Sequence, residues 1–142
     1  SRVHASEVEA ITWKIAAEGA AVTAPEFARG IDRMHLLGRR LAESFEEFDI
    51  LMTPTTATPA VPLGAMSMDR VDDEAEGLLR QTVAFTLLAN LTGVPAMTVP
   101  LHWSGDGLPV GVQFIAPMGR DDLLFRLAGQ LERTRPWDDR HP

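Results

Sequence analysis

Apolar residues recur at alternating steps of four and three through Phe27, Ile31, Met34, Gly38, Leu41, Phe45 and Phe48. That spacing predicts one helix of about six turns with a single apolar face. The polar face carries Arg29, Arg33, Arg39, Arg40, Glu43, Glu46 and Glu47. Thr23-Ala24-Pro25-Glu26 has the spacing of a capping box, with Pro25 in the first turn, where a missing N–H costs nothing. Gly38 within the stripe predicts close approach of another backbone. The heptad spacing also allows a coiled coil, but at this length a helix laid on a globular core is favoured. Upstream, Val8, Ile11 and Ile15 predict another helix, with Ser6 as cap, Glu9 at the box position and Gly19 as the stop. Trp13 falls off that stripe and is expected to face another element.

The pattern then changes period. Asp49 to Met52 reads as a short buried strand ending at Thr53-Pro54. Thr53 to Gly64 holds Pro54, Pro59 and Pro62 among small residues, so it reads as an extended loop. Met66 to Glu76 is polar and acidic, a surface loop or helix start. Gly77 to Leu91 reads as one helix, with Leu79, Val83, Leu87 and Asn90 on one face and Gly93 past its end. Ala96–Leu101 and Val110–Ile115 are β-rich and read as adjacent antiparallel strands with a long Gly-Asp-Gly connection. Asp121 is placed to cap a last helix carrying Leu124, Leu127, Ala128 and Leu131, which Arg135-Pro136 ends. Helices followed by strands interleaved with helices give an α/β fold.

Composition narrows the chemistry. The chain has 142 residues, 45% hydrophobic and 23% charged, enough for one domain with a real core. Its net charge of −7 would repel a phosphate backbone, so nucleic acid is not an expected partner. The absence of cysteine excludes a disulfide scaffold, a thiol nucleophile and thiolate metal sites, and fits a cytoplasmic protein. No apolar run reaches the ~20 residues of a membrane span, and no basic-then-apolar leader opens the chain. The four histidines are scattered, and Asp72-Asp73-Glu74 reads as a solvated helix start, so no metal is expected. No phosphate-cradling glycine loop and no GxSxG elbow is present, so no cofactor is expected and no self-sufficient active site is legible.

Two segments remain. Thr53-Pro54-Thr55-Thr56-Ala57-Thr58-Pro59 lies just after a strand, where α/β folds place ligands, and reads equally as a pocket wall or a rigid connection. In Phe85 to Ala96 a helix runs through Gly93 and Pro95 into a strand. Asn90, on its expected buried side, would tie that turn together through its amide.

These segments resemble the C-terminal part of the amidase signature family. The resemblance rests on Phe48 to Thr55, Phe85-Thr86, Asn90 to Ala96, Val99-Pro100, Asp106 to Phe114 (with GLPVGVQF) and Leu123 to Glu132, in register over nearly the whole chain. Ile11-Thr12-Trp13 and Thr23–Glu26 are most similar to amide hydrolases related to 6-aminohexanoate cyclic dimer hydrolase. The family's G-G-S-S-type stretch has no counterpart here, and Lys14, the only lysine, is not in a matching context. The resemblance therefore implies that residues 1–142 are a single C-terminal domain or fragment, with helices on a few strands of a mixed sheet and no catalytic residue of its own. A Ser-Ser-Lys acyl-enzyme mechanism would belong to the remainder of the protein. The implied partners are that N-terminal catalytic region and a small-molecule amide, with no membrane. An apolar flank awaiting the missing part would also permit a homodimer. The implied pocket wall is Thr53, Pro54, Thr55, Val83, Phe85 and Thr86, and its part near Phe85, with Leu79, Val83 and Leu87, is mainly apolar, which favours apolar or aryl acyl groups. The family includes the glutamine-hydrolysing component of the tRNA amidotransferase, which carries an acid for the glutamine ammonium. Val83 occupies that position here, with Thr82 and Ala84 beside it, and an apolar group cannot pair an ammonium. A non-catalytic assembly module built on the Thr23–Phe48 helix is the third reading.

Overall fold

A computed structural model describes residues 3–140. After a single 3-10 turn at Ala5–Glu7, α1 (Ala10–Ala20) and α2 (Ala24–Ser44) lead into β1 (Leu51–Pro54). Then follow α3 (Asp73–Val83), α4 (Thr86–Thr92), β2 (Ala96–Trp103), β3 (Pro109–Ile115) and α5 (Asp121–Thr134). The architecture is α/β, with five α-helices among the described residues and a three-stranded antiparallel sheet in the order β1-β3-β2.

The α2 start forms as its local sequence dictates. The Glu26 carboxylate accepts from the Thr23 backbone N–H at 2.9 Å and from its hydroxyl at 2.6 Å. The helix ends at Ser44, short of Phe48, where Phe45 caps it and stacks edge-on with Phe48 at 5.4 Å. Ser6 does not cap α1: it sits in the 3-10 turn, Val8 is extended, and Glu9 takes the cap position without a side-chain hydrogen bond. Trp13 is exposed.

The expected single helix over 77–91 is two helices. Asp72 caps α3 by accepting from Ala75 N at 3.0 Å, and the chain changes register at Ala84-Phe85 before α4 begins. The expected long connection between the last two strands is a tight hairpin over 104–108. The Ser104 N–H donates to the Leu108 carbonyl at 2.8 Å, the Leu108 N–H donates to Ser104 Oγ at 3.1 Å, and Gly107 takes a φ of 79°. Asp121 is the first residue of α5, whose N-cap is Arg120.

Prolines fall where the sheet tolerates them. Pro54 and Pro100 lie in the outer strands β1 and β2, and Pro109 is the first residue of β3, so a missing N–H breaks no central ladder. The register slips between Pro100 and His102, a bulge at Leu101. On one face of the sheet Val99, Phe114, Ala116 and Leu124 of α5 form the core, with Met97, Leu101, Val112, Leu127 and Trp137 packed around it. Gly111, Gln113 and Ile115 alternate to the other face.

The accessible surface is 10174 Å². A compact monomer of this size exposes about 7,200 Å². On the first two helices Trp13, Ile15, Phe27 and Leu36 are exposed, and elsewhere Met52, Leu63, Met118 and Phe125 are. Nothing lies within 4 Å of the position a Cβ on Gly38 would take, so the close backbone approach expected there does not occur among the described residues. Gly38 instead floors an open groove of about 540 Å³ with Met34, Phe45, Leu91, Val94 and Met118. No helix among the described residues is long and apolar enough to cross a membrane.

Candidate functional site

The three strands build one polar row across the second face of the sheet. Thr53 on β1 and Thr98 on β2 stand opposite Gln113 on the central strand. Gln113 is only 2% exposed, and a buried amide must find partners. Its Nε2 donates to Thr53 Oγ1 at 3.0 Å and to the Phe85 carbonyl at 3.2 Å. A backbone carbonyl can only accept, so the nitrogen of the amide faces Phe85, and this fixes the orientation of the group. One amide thus joins the exit of β1 to the α3–α4 junction.

The adjacent row depends on a glycine. Thr55 Oγ1 and Thr98 Oγ1 hydrogen-bond at 3.1 Å across the central strand. A Cβ on Gly111 would lie 2.6 Å from Thr55 Oγ1 and 2.9 Å from Thr98 Cγ2, so the two threonines meet only because residue 111 has no side chain. The backbone is secured beside them. Thr55 N–H donates to the Gly111 carbonyl at 3.0 Å, and Ala57 N–H donates to the Gln81 carbonyl at 3.2 Å, tying the proline-rich loop to α3.

Of the residues singled out in the sequence, Thr53, Thr55 and Phe85 converge here. Thr86 lies next to the junction, its hydroxyl turned back to the Val83 carbonyl at 3.2 Å. Pro54 alternates to the opposite face, where it lines an apolar groove of about 340 Å³ with Met52, Leu101, Val110 and Val112. Val83 and Leu87 are exposed, and Leu79 lies elsewhere, lining a small cleft with Ile11, Met66, Met68 and Ala75. Asn90 is exposed, which corrects its expected burial: the whole face expected to be buried, with Leu79, Val83 and Leu87, is turned outward, and Ala75 and Ala89 are the buried residues of α3 and α4. Gly93, at a φ of 74°, closes α4 by donating to the Ala89 carbonyl at 2.8 Å, and the Pro95 carbonyl accepts from Ala116 N–H at 3.0 Å. Gln113 was not anticipated. The signal was available, since alternation in Val110–Ile115 puts it on the same strand face as Ile115.

Charged groups lie away from this row. Lys14 pairs with Glu76, and more loosely with Glu18 at 3.7 Å. The hydrogen bond to Glu76 raises its pKa above 10.5, so it is a protonated surface amine. Arg70, then the Ala75 N–H, hold the Asp72 carboxyl below its ordinary 3.8. Among the described residues no group of three His, Asp or Glu is placed to hold a metal ion.

Residues 5–125 match the family model described as Amidase. The chain is 40% identical over 109 residues to the candidate amidase AmiC of Mycobacterium leprae, covering 77% of this chain and 23% of that protein. It is 33% identical over 144 residues to the 6-aminohexanoate-cyclic-dimer hydrolase of Pseudomonas sp. strain NK87, covering 96% of this chain and 29% of the relative. A solved structure of 6-aminohexanoate cyclic dimer hydrolase superposes with a TM-score of 0.88 at 32% identity, over 99% of this chain and 30% of the other. A glutamyl-tRNA(Gln) amidotransferase component from Acidothermus cellulolyticus is 45% identical over 98 residues, covering 68% of this chain and 18% of its own. The chain thus spans less than a third of the length of each of these relatives.

Proposed function

Because this chain belongs to the amidase family, we propose that it is the C-terminal scaffold portion of a cytoplasmic enzyme that hydrolyses carboxylic amide C–N bonds. In this reading a serine, a second serine and a neutral lysine outside these residues form and break the acyl-enzyme. This chain contributes a wall of the pocket and no reactive group. Lys14 cannot stand in for the activating base, because its pairing with Glu76 favours the charged form.

The observation that carries the reading is the Gln113 junction. One buried amide holds Thr53 and Phe85 together where the sheet meets the α3–α4 junction, and among the described residues its recorded partners include no nucleophile or base. A small amide seated there would meet hydroxyls and a carbonyl from this chain and the attacking serine from the remainder. The likeness to an amidotransferase component carries a second reading, glutamine-dependent ammonia release. Val83, apolar and exposed, offers no partner to the glutamine ammonium and weighs against it.

The test is a panel of aryl and aliphatic amides, with glutamine included, given to the 142-residue chain and to the whole protein that contains it. The reading expects turnover of amides by the longer protein only. Turnover by the 142 residues alone would refute the missing-nucleophile argument. Glutaminase activity confined to a complex with partner proteins would establish the second reading instead.

A further inference from the structure

We propose that Gln113 is a positioning residue that sets the hydrogen-bond direction of the pocket wall, making Thr53 a donor toward substrate. This rests on the amide-hydrolase reading. A threonine hydroxyl can accept or donate. Gln113 Nε2, donating to Thr53 Oγ1 at 3.0 Å, takes one of that hydroxyl's lone pairs and leaves the Thr53 proton free to point off the sheet. The same nitrogen spends its second hydrogen on the Phe85 carbonyl at 3.2 Å, which takes one of that oxygen's two lone pairs. Gln113 is buried in the central strand between two edge threonines, so water does not compete for either bond. The wall thereby presents the Thr53 hydroxyl as a donor, which suits the carbonyl oxygen of an amide or the carboxylate of its product.

The test uses the full-length protein with Thr53→Val, Thr53→Ser, Gln113→Glu and the double variant Thr53→Val/Gln113→Glu. Loss of one donated hydrogen bond should raise KM about tenfold in Thr53→Val, with Thr53→Ser restoring it. In Gln113→Glu, burial raises the carboxyl pKa. At neutral pH the carboxylate cannot donate to Phe85. As the pH falls and it protonates, it regains one donor, so activity relative to wild type should recover on the acid side. The double variant should be no worse than the poorer single one. A ratio to wild type that is flat with pH, or fully additive losses, would overturn the proposal. Should wild type turn over no amide, the function reading falls on its own. The positioning claim is then decided by exchange of the Gln113 side-chain amide protons, slow if both are held and as fast as a free amide if the proposal is wrong.

Discussion

The layer formed by the sheet and α5 and the arm formed by α1 and α2 were built from similar proportions of apolar side chains, yet they end differently. In the layer, Ile115 and Ala116 are 0% exposed and Leu124 sits against Phe114 and Val99. On the arm, Phe27 is 65% exposed although it lies on the apolar stripe of α2. Periodicity places side chains on a face but does not supply what covers it. The layer closes because two elements from this chain meet there. On the arm only Ile11 of α1 and Leu41, toward the inner end of the α2 stripe, are buried. The exposed stripe and the open groove that Gly38 shares with Leu91, Val94 and Met118 show that α2 is loosely covered by this chain.

Substitutions should separate the two regions. Leu124→Ala leaves a cavity inside the layer and should cost about 2–5 kcal/mol, read as a lowered denaturation midpoint. Gly111→Ala drives a methyl group into Thr55 and Thr98 on the central strand and should cost about 1–3 kcal/mol, with loss of the Thr55–Thr98 hydrogen bond. Acid should act more weakly, and on helix starts. Hydrogen bonds from Arg70 and Ala75 depress the Asp72 pKa, and those from Thr23 depress that of Glu26. A depressed folded pKa means that the stabilisation is present above the ordinary values of 3.8 and 4.5 and is lost as the pH falls through the lower folded values. An acid titration of helicity should therefore show α2 and α3 fraying below about pH 4, and Asp72→Asn should flatten the α3 part. Smallest of all, Phe27→Ala in the 142-residue chain should change stability by no more than about 0.5 kcal/mol, although the same change in the layer would be severe.

What the sequence disclosed follows the range of the interactions. The α2 start was legible because Thr23, Pro25 and Glu26 act within one turn of each other. The Gly93 stop and the antiparallel strand pair were legible for the same reason. The division of the 77–91 segment was not, since Ala84-Phe85 carries no glycine or proline. The group that takes the Phe85 carbonyl, Gln113, is 28 residues away. Thr53, Thr55 and Phe85, expected at a pocket wall, lie near one another, while Gln113, which joins Thr53 to Phe85, reads in the sequence as one polar position in an apolar strand. The burial expected of Asn90 fails for a different reason: the face chosen by its larger apolar residues, Leu79, Val83 and Leu87, is the exposed one, and the small Ala75 and Ala89 are buried.

Amide hydrogen exchange on the 142-residue chain and on the full-length protein tests most directly whether the α1–α2 arm is an interface awaiting its counterpart. The β2–β3 amides should be strongly protected in both. Those of α2 (Ala24–Ser44) should exchange quickly in the 142-residue chain and become protected in the longer protein. Equal protection of α2 in the two, with no further slowing when the remaining sequence is present, would show that the arm stands alone and would contradict the account.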